Sequence, residues 1–150
     1  MASSVSAALY SGRIAAERLM TDQCVIRRPT GNMVTDPETF EDVPELIVIY
    51  DPRQGPHFGK CKVQSHEAFE QERESAGLTQ IINRVRVDIP VGVARIMPED
   101  VITILDSIDP LLIGQSYRVT VEAPYATHKT AYRIAVELNV GLEVPPFNPN

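Results

Sequence analysis

The residues best suited to chemistry crowd between positions 55 and 77. Gly55-Pro56-His57-Phe58-Gly59-Lys60-Cys61 is the nearest approach to a phosphate-cradling loop. A Walker-type loop needs four residues between its glycines, then Lys followed by Ser or Thr at the start of a helix. Here three intervene, Cys follows the lysine and a strand-like stretch comes next, so the segment reads as a turn. His57, Cys61 and His66 are spaced like metal ligands, but a structural zinc wants a fourth ligand and recognisable pairs. Surface histidines beside a buried cysteine fit better. Glu67, Glu70, Glu72 and Glu74 offer carboxylates for hydrolysis. Crowded on one polar segment, without apolar neighbours to raise a pKa, they read as a solvated face. Nothing resembles a nucleophile elbow. The expectation is a protein that is not an enzyme and uses no cofactor or metal.

The elements around this segment are mostly strands. Along 78–89, Ile81, Val85, Val87 and Ile89 alternate with Gln80, Arg84, Arg86 and Asp88, a period of two that predicts one face in a core and one in water. Pro90 ends it, having no N–H for a ladder. The polar segment 65–77 stands at its head, so a charged loop on a long strand is predicted.

At the N-terminus, Ser3 or Ser4 caps a predicted helix to about Met20, with Val5, Leu9, Ala16, Leu19 and Met20 as its apolar stripe. Gly12 in that stripe allows close approach by a partner. Tyr10 and Ile14 lie opposite, among Arg13, Glu17 and Arg18. Residues 23–28 form a first strand and 29–42 a long exposed loop rich in Thr, Gly, Asn, Asp and Pro. Residues 45–50 read as a buried strand, and 60–64, 101–107, 116–123 and 131–139 as further strands. Residues 141–150 hold three prolines and no periodicity, and read as a tail. The predicted division is a helical arm at 1–21, a β-barrel domain at 22–140 and the tail. About seven strands behind one helix describe a small antiparallel barrel, preferred to a sandwich because closure removes edges.

The totals agree with one globular domain. The 150 residues are 43% hydrophobic and 23% charged, and twelve prolines bar any long helix after the first. No apolar run approaches the ~20 residues that cross a bilayer, and no basic cluster precedes the N-terminal apolar residues, so neither membrane association nor export is expected. A net charge of −6 argues against free nucleic-acid binding, though not against a surface that DNA passes without sticking. Cys24 and Cys61 read as buried thiols rather than a disulfide.

The order of parts resembles the head-completion, or stopper, proteins of the head-to-tail connector in long-tailed bacteriophages, particularly those of actinobacteria. The pieces that carry the likeness are Ala7-Ala8-Leu9-Tyr10-Ser11-Gly12-Arg13 with Ala15-Ala16-Glu17, then Cys24-Val25-Ile26-Arg27-Arg28-Pro29-Thr30-Gly31. After these come Gly59-Lys60-Cys61-Lys62-Val63-Gln64 and Glu74-Ser75-Ala76-Gly77. The last are Asp106-Ser107-Ile108-Asp109-Pro110-Leu111-Leu112-Ile113-Gly114 with Tyr117-Arg118-Val119, and His128-Lys129-Thr130. The resemblance spans about residues 7–140. It implies a virion neck protein, assembled in the host cytoplasm as a six-fold or twelve-fold homo-oligomeric ring. Portal and adaptor would lie above it, a tail terminator or tail tube below, and packaged double-stranded DNA in the channel. Carried over, the channel-gating segment is 65–77, with Ser65, His66, Glu67, Glu70, Glu72, Arg73, Glu74 and Gly77. Carboxylates lining a duct repel phosphates, so DNA slides instead of adhering.

A ring needs two different complementary patches per subunit. Tyr10, Arg13 and Ile14 of the helix, Phe40 in the 29–42 loop, and Pro145, Pro146 and Phe147 of the tail are the candidates. Alternatives remain open: a tail terminator or other connector ring, an OB-like nucleic-acid-binding barrel, or a ligand-binding barrel. With no Trp and 6% aromatic residues, the last has little material for a pocket. For the OB-like reading, Arg84, Arg86, Arg118 and Arg133 share their strand faces with Asp88, Glu122 and Glu137.

Overall fold

The computed structural model describes residues 4–71, 80–139 and 144–148, with the backbone alone for 66–71 and 80–84. Helix α1 (Ser4–Arg18) is followed by strands β1 (Asp22–Thr35), β2 (Asp42–Tyr50), β3 (Lys60–Gln71), β4 (Gln80–Ile89), β5 (Val101–Asp106), β6 (Ser116–Val119) and β7 (Tyr132–Leu138). The strand order is β2-β1-β3-β4-β7-β6-β5, and a further β1–β5 pairing closes six strands into an antiparallel barrel with β2 as an extra strand. The expected mainly β architecture, a small antiparallel barrel led by one helix, is the one this chain adopts.

Two long strands give the barrel its outline. β1 pairs with β5 from Gln23↔Asp106 to Arg27↔Val101, which closes the wall. Its other part pairs with β2 from Ile26↔Tyr50 to Thr35↔Asp42, forming a ribbon. The 29–42 loop of the sequence reading is therefore mostly strand. Irregular pairing between Pro29 and Met33, with Gly31 at φ 87°, absorbs the proline and the glycines that argued for a loop. β2 is not the buried strand expected: Ile47 and Val48 are exposed, because β2 lies outside the closed wall and pairs with β1 alone.

Inside the barrel, Cys24, Ile26, Val87, Ile89, Ile102, Ile104, Val119 and Ile134 are all fully buried in one cluster. Each such side chain contributes about 1.5–3 kcal/mol through removal from water. The seam is fixed at its start by Asp22. Its Oδ2 accepts from Val63 N at 3.2 Å and its Oδ1 from Ser107 Oγ at 2.8 Å, so one carboxylate joins β1, β3 and the end of β5.

Two further expectations change. Asp88, assigned to the wet face of β4, is buried. The helix stripe is not a core stripe: no residue of α1 is buried, Val5 and Leu19 are exposed, and Met20 just beyond the helix is the one that enters the core. α1 is instead fastened at its middle. A Cβ on Gly12 would lie 3.0 Å from Thr130 Cγ2, and Arg13 Nε donates to Lys129 O at 3.1 Å. Gly12 thus permits the close approach read from the sequence.

Candidate functional site

The segment singled out for gating begins in a strand, not a loop. β3 pairs with β4 from Lys62↔Asp88 to Gln71↔Gln80, with one irregularity between His66 and Phe69. β4 pairs with β7 only from Val85↔Val136 to Ile89↔Tyr132. Beyond that point, among the described residues, the two strands pair with each other alone, as a two-stranded finger on the barrel wall. Ser65 is exposed in β3, opposite Val85. His66, Glu67 and Glu70 are placed by backbone only, with His66 opposite Arg84 and Glu70 opposite Ile81. Glu72, Arg73, Glu74 and Gly77 lie outside the described residues. The strand read over 60–64 stopped too early because Ser65, His66 and Glu67 break the alternation, while the backbone pairing with β4 runs on to Gln71.

At the root of the finger lies a polar network. Arg86 Nη2 donates to Gln64 Oε1 on the paired strand. Arg86 Nε lies 2.9 Å from Asp88 Oδ1, but the approach is too bent for a hydrogen bond and both atoms lack a hydrogen-bond partner. The hydrogen bond of the pair runs instead from Arg86 Nη2 to Asp88 Oδ2 at 3.4 Å. Arg118 bonds Glu99 and Glu137, and Arg95 meets Glu122 at 2.8 Å. Arg86 and Arg118 on the strand faces and Arg95 in the loop before β5 are thus matched by carboxylates of the same chain, which reduces the positive surface open to phosphates.

The candidate contact residues divide. Tyr10 is 69% and Phe40 81% exposed, and both are free to meet a neighbour. Ile14 is half-buried, and Arg13 is spent on Lys129 of its own chain. The tail is not loose at 144–148. Pro145 O accepts from Arg27 Nη1 at 2.7 Å, and the Phe147 ring lies 6.0 Å from the Arg27 guanidinium carbon and 5.1 Å from that of Arg53. Pro145, Pro146 and Phe147 therefore strap their own barrel, over the outer face of β1 and β5, while Pro146 stays exposed. This explains why Arg27, an arginine on the outer face, is buried.

Arg27 is a residue the sequence reading did not single out. It is 5% exposed, donates to Thr103 Oγ1 at 3.2 Å and leaves its Nε without a partner. Burial pushes its pKa down. Arg28 was also missed. Its Nε and Nη2 grip both oxygens of the fully buried Asp100 at 2.8 and 3.0 Å, and Asp100 raises the Arg28 pKa. Adjacent arginines in an otherwise apolar strand were the available signal.

Cys24 and Cys61 are free and buried, as expected. A hydrogen bond with Cys24, reinforced by burial, holds the Cys61 thiol pKa well above its ordinary value. His57 sits 3.6 Å from Glu17. Among the described residues no three His, Cys, Asp or Glu side chains gather as metal ligands. Surface clefts of about 360 and 480 Å³ flank Gly92, the first near His57 and Tyr50, the second between Tyr125, Tyr132, Ala94 and Arg95.

Against known proteins, residues 12–137 match the sequence model of a family described as "Family of unknown function (DUF6093)". No curated protein and no solved structure matches the chain.

Proposed function

We propose, starting from the fact that this chain belongs to the DUF6093 family, that it is a structural virion protein, the stopper ring of a phage head-to-tail connector. In this reading copies of the barrel surround a channel below the portal and adaptor, close it on packaged DNA, and offer the lower surface to the tail. The observation that carries it is the β3–β4 finger. Among the described residues two strands leave the barrel wall paired only with each other, and they carry the segment with Glu67, Glu70, Glu72 and Glu74. A finger reaching an axis from several sides narrows it, and its negative charge keeps phosphates from adhering. The closed barrel suits a rigid ring unit, and the self-neutralised arginines suit a protein that DNA passes rather than binds. A tail terminator or other connector ring shares this architecture and differs in where it is incorporated.

The test is assembly. Tagged protein added to DNA-filled, tailless heads should be retained at the portal vertex, and heads made without it should leak DNA. Incorporation into isolated tails, with heads retaining DNA in its absence, would replace the stopper by the terminator.

A further inference from the structure

We propose that the cleft beside the tail strap binds a small monocarboxylate with a short apolar body, and that Arg27 is its counter-ion. The cleft holds about 310 Å³ and is bounded by β1, β5, the segment 113–116 and the strap. Arg27 is the charged residue on its lining. Thr103 and Ser116 add hydroxyls, and Leu105, Ile113 and Pro146 add apolar surface. Mostly apolar walls with a few polar groups are what small-ligand sites present, and the volume falls at the small end of their range of roughly 300–1,000 Å³.

Arg27 has lost its water without gaining a negative charge. It is 5% exposed, and its partners among the described residues are neutral: the Pro145 carbonyl, the Thr103 hydroxyl and the Phe147 ring. Its neighbours differ. Arg53, over the same ring, has Asp51 at 2.9 Å, and Arg28 has Asp100 at 2.8 Å. Burial lowers the Arg27 pKa, and no described carboxylate raises it. The hydrogen bonds to Pro145 O and Thr103 Oγ1 leave donors of the guanidinium fork unused, Nε among them. The hydroxyls have capacity to spare as well. Thr103 Oγ1 and Ser116 Oγ lie 3.0 Å apart and share one proton, so the other remains to donate, and a hydroxyl rotates to suit. A carboxylate entering here meets a cation that folding has already dehydrated, so only its own dehydration opposes the attraction. One buried cation calls for one negative charge, and apolar walls disfavour a phosphate dianion. The site stands whether or not copies of the chain form a ring.

Butyrate is the probe and butyramide its neutral match, both at constant ionic strength. Butyrate should raise the melting temperature progressively with its concentration. It should also move the Arg27 Nε–H resonance, identified by its loss in Arg27→Lys. Butyramide should do neither. Thr103→Val with Ser116→Ala, which removes both hydroxyls, should weaken butyrate roughly tenfold. Ile113 is 46% exposed at the rim, so Ile113→Trp should crowd the cleft and abolish the response while the fold persists. An equal response to butyramide, the same response to sulfate, or a response that survives Ile113→Trp overturns the site. So does no response in the parent protein. If a response then appears in Glu143→Gln alone, the counter-ion of Arg27 is a carboxylate of its own chain, from the residue that precedes Val144 in the sequence.

Discussion

Asp100 and Gly59 are each held so tightly that one substitution reads out the local packing. Asp100 is fully buried and also accepts from Met97 N at 2.9 Å, so the loop before β5 depends on its charge being matched. Arg28→Ala leaves that carboxylate buried and unpaired. A loss of about 3 kcal/mol is expected in urea denaturation, and Arg28→Lys, lacking the planar fork, should recover only part. Gly59 has φ 75°, and a Cβ there would sit 2.6 Å from Cys24 O and 2.8 Å from Pro52 Cβ. Gly59→Ala should cost at least ~2 kcal/mol by the same assay; a neutral result would mean that the turn shifts freely. Cys61 and Tyr50 give a pH signature. Cys61 titrates above a free thiol, and burial pushes Tyr50 well above its ordinary range while its hydroxyl donates to Lys60 O at 3.0 Å. The folded protein keeps protons that the unfolded chain releases, so this stability is complete below the unfolded values and declines as pH rises past ~8.5 and again past ~10. Denaturation midpoints at pH 7, 9 and 10.5 should fall in that order. Cys61→Ala should flatten the first step, and a flat profile in the parent protein would contradict the assignment.

Among the elements, the strap at 144–148 is the least expected part and the easiest to remove. It covers Arg27 on the outer face of the seam. Truncation after Asn139 should lower stability by about 1–2 kcal/mol, a few degrees in Tm. Amide exchange should quicken in β1 and β5 before it does in β4; equal quickening everywhere would deny the strap a local role. How much could be read from the sequence follows from the range of the interactions. Strands with one wet and one dry face, such as Val85 to Ile89 and Tyr132 to Leu138, declared themselves through a period of two. β1 and β3 ran past their expected ends because backbone pairing with a neighbour continues them, the outer part of β1 without burying a face, and pairing leaves no periodic trace. The strap was invisible for a related reason. Its hold on Arg27 joins residues 118 apart in the chain, through a proline carbonyl that any residue type supplies. The contact candidates were chosen as residues the core did not need; Tyr10 and Phe40 are exposed, while Arg13 and the tail have partners on the surface of the same molecule.

For the whole molecule, the barrel and the finger should separate. Replacing Glu67 to Glu74 with Gly and Ser should leave the melting temperature near that of the parent, since the wall pairings of β4 with β7 begin at Val85. The same change should impair DNA retention in assembled heads. Unfolding instead would assign the segment to the core and remove it as a gate. In solution the free subunit should scatter light as a monomer or a weak oligomer at low micromolar concentration, because its exposed contact points, Tyr10 and Phe40, are single side chains. A stable ring under those conditions would point to a larger interface.

β1 carries a mechanical consequence. The same unbroken strand is a stave of the wall at Gln23 to Arg27 and a rail of the ribbon at Met33 to Thr35. A tug on the distal end travels along covalent backbone straight into the stave, with no slack linker between. Whatever grips the outrigger therefore also tilts the cask.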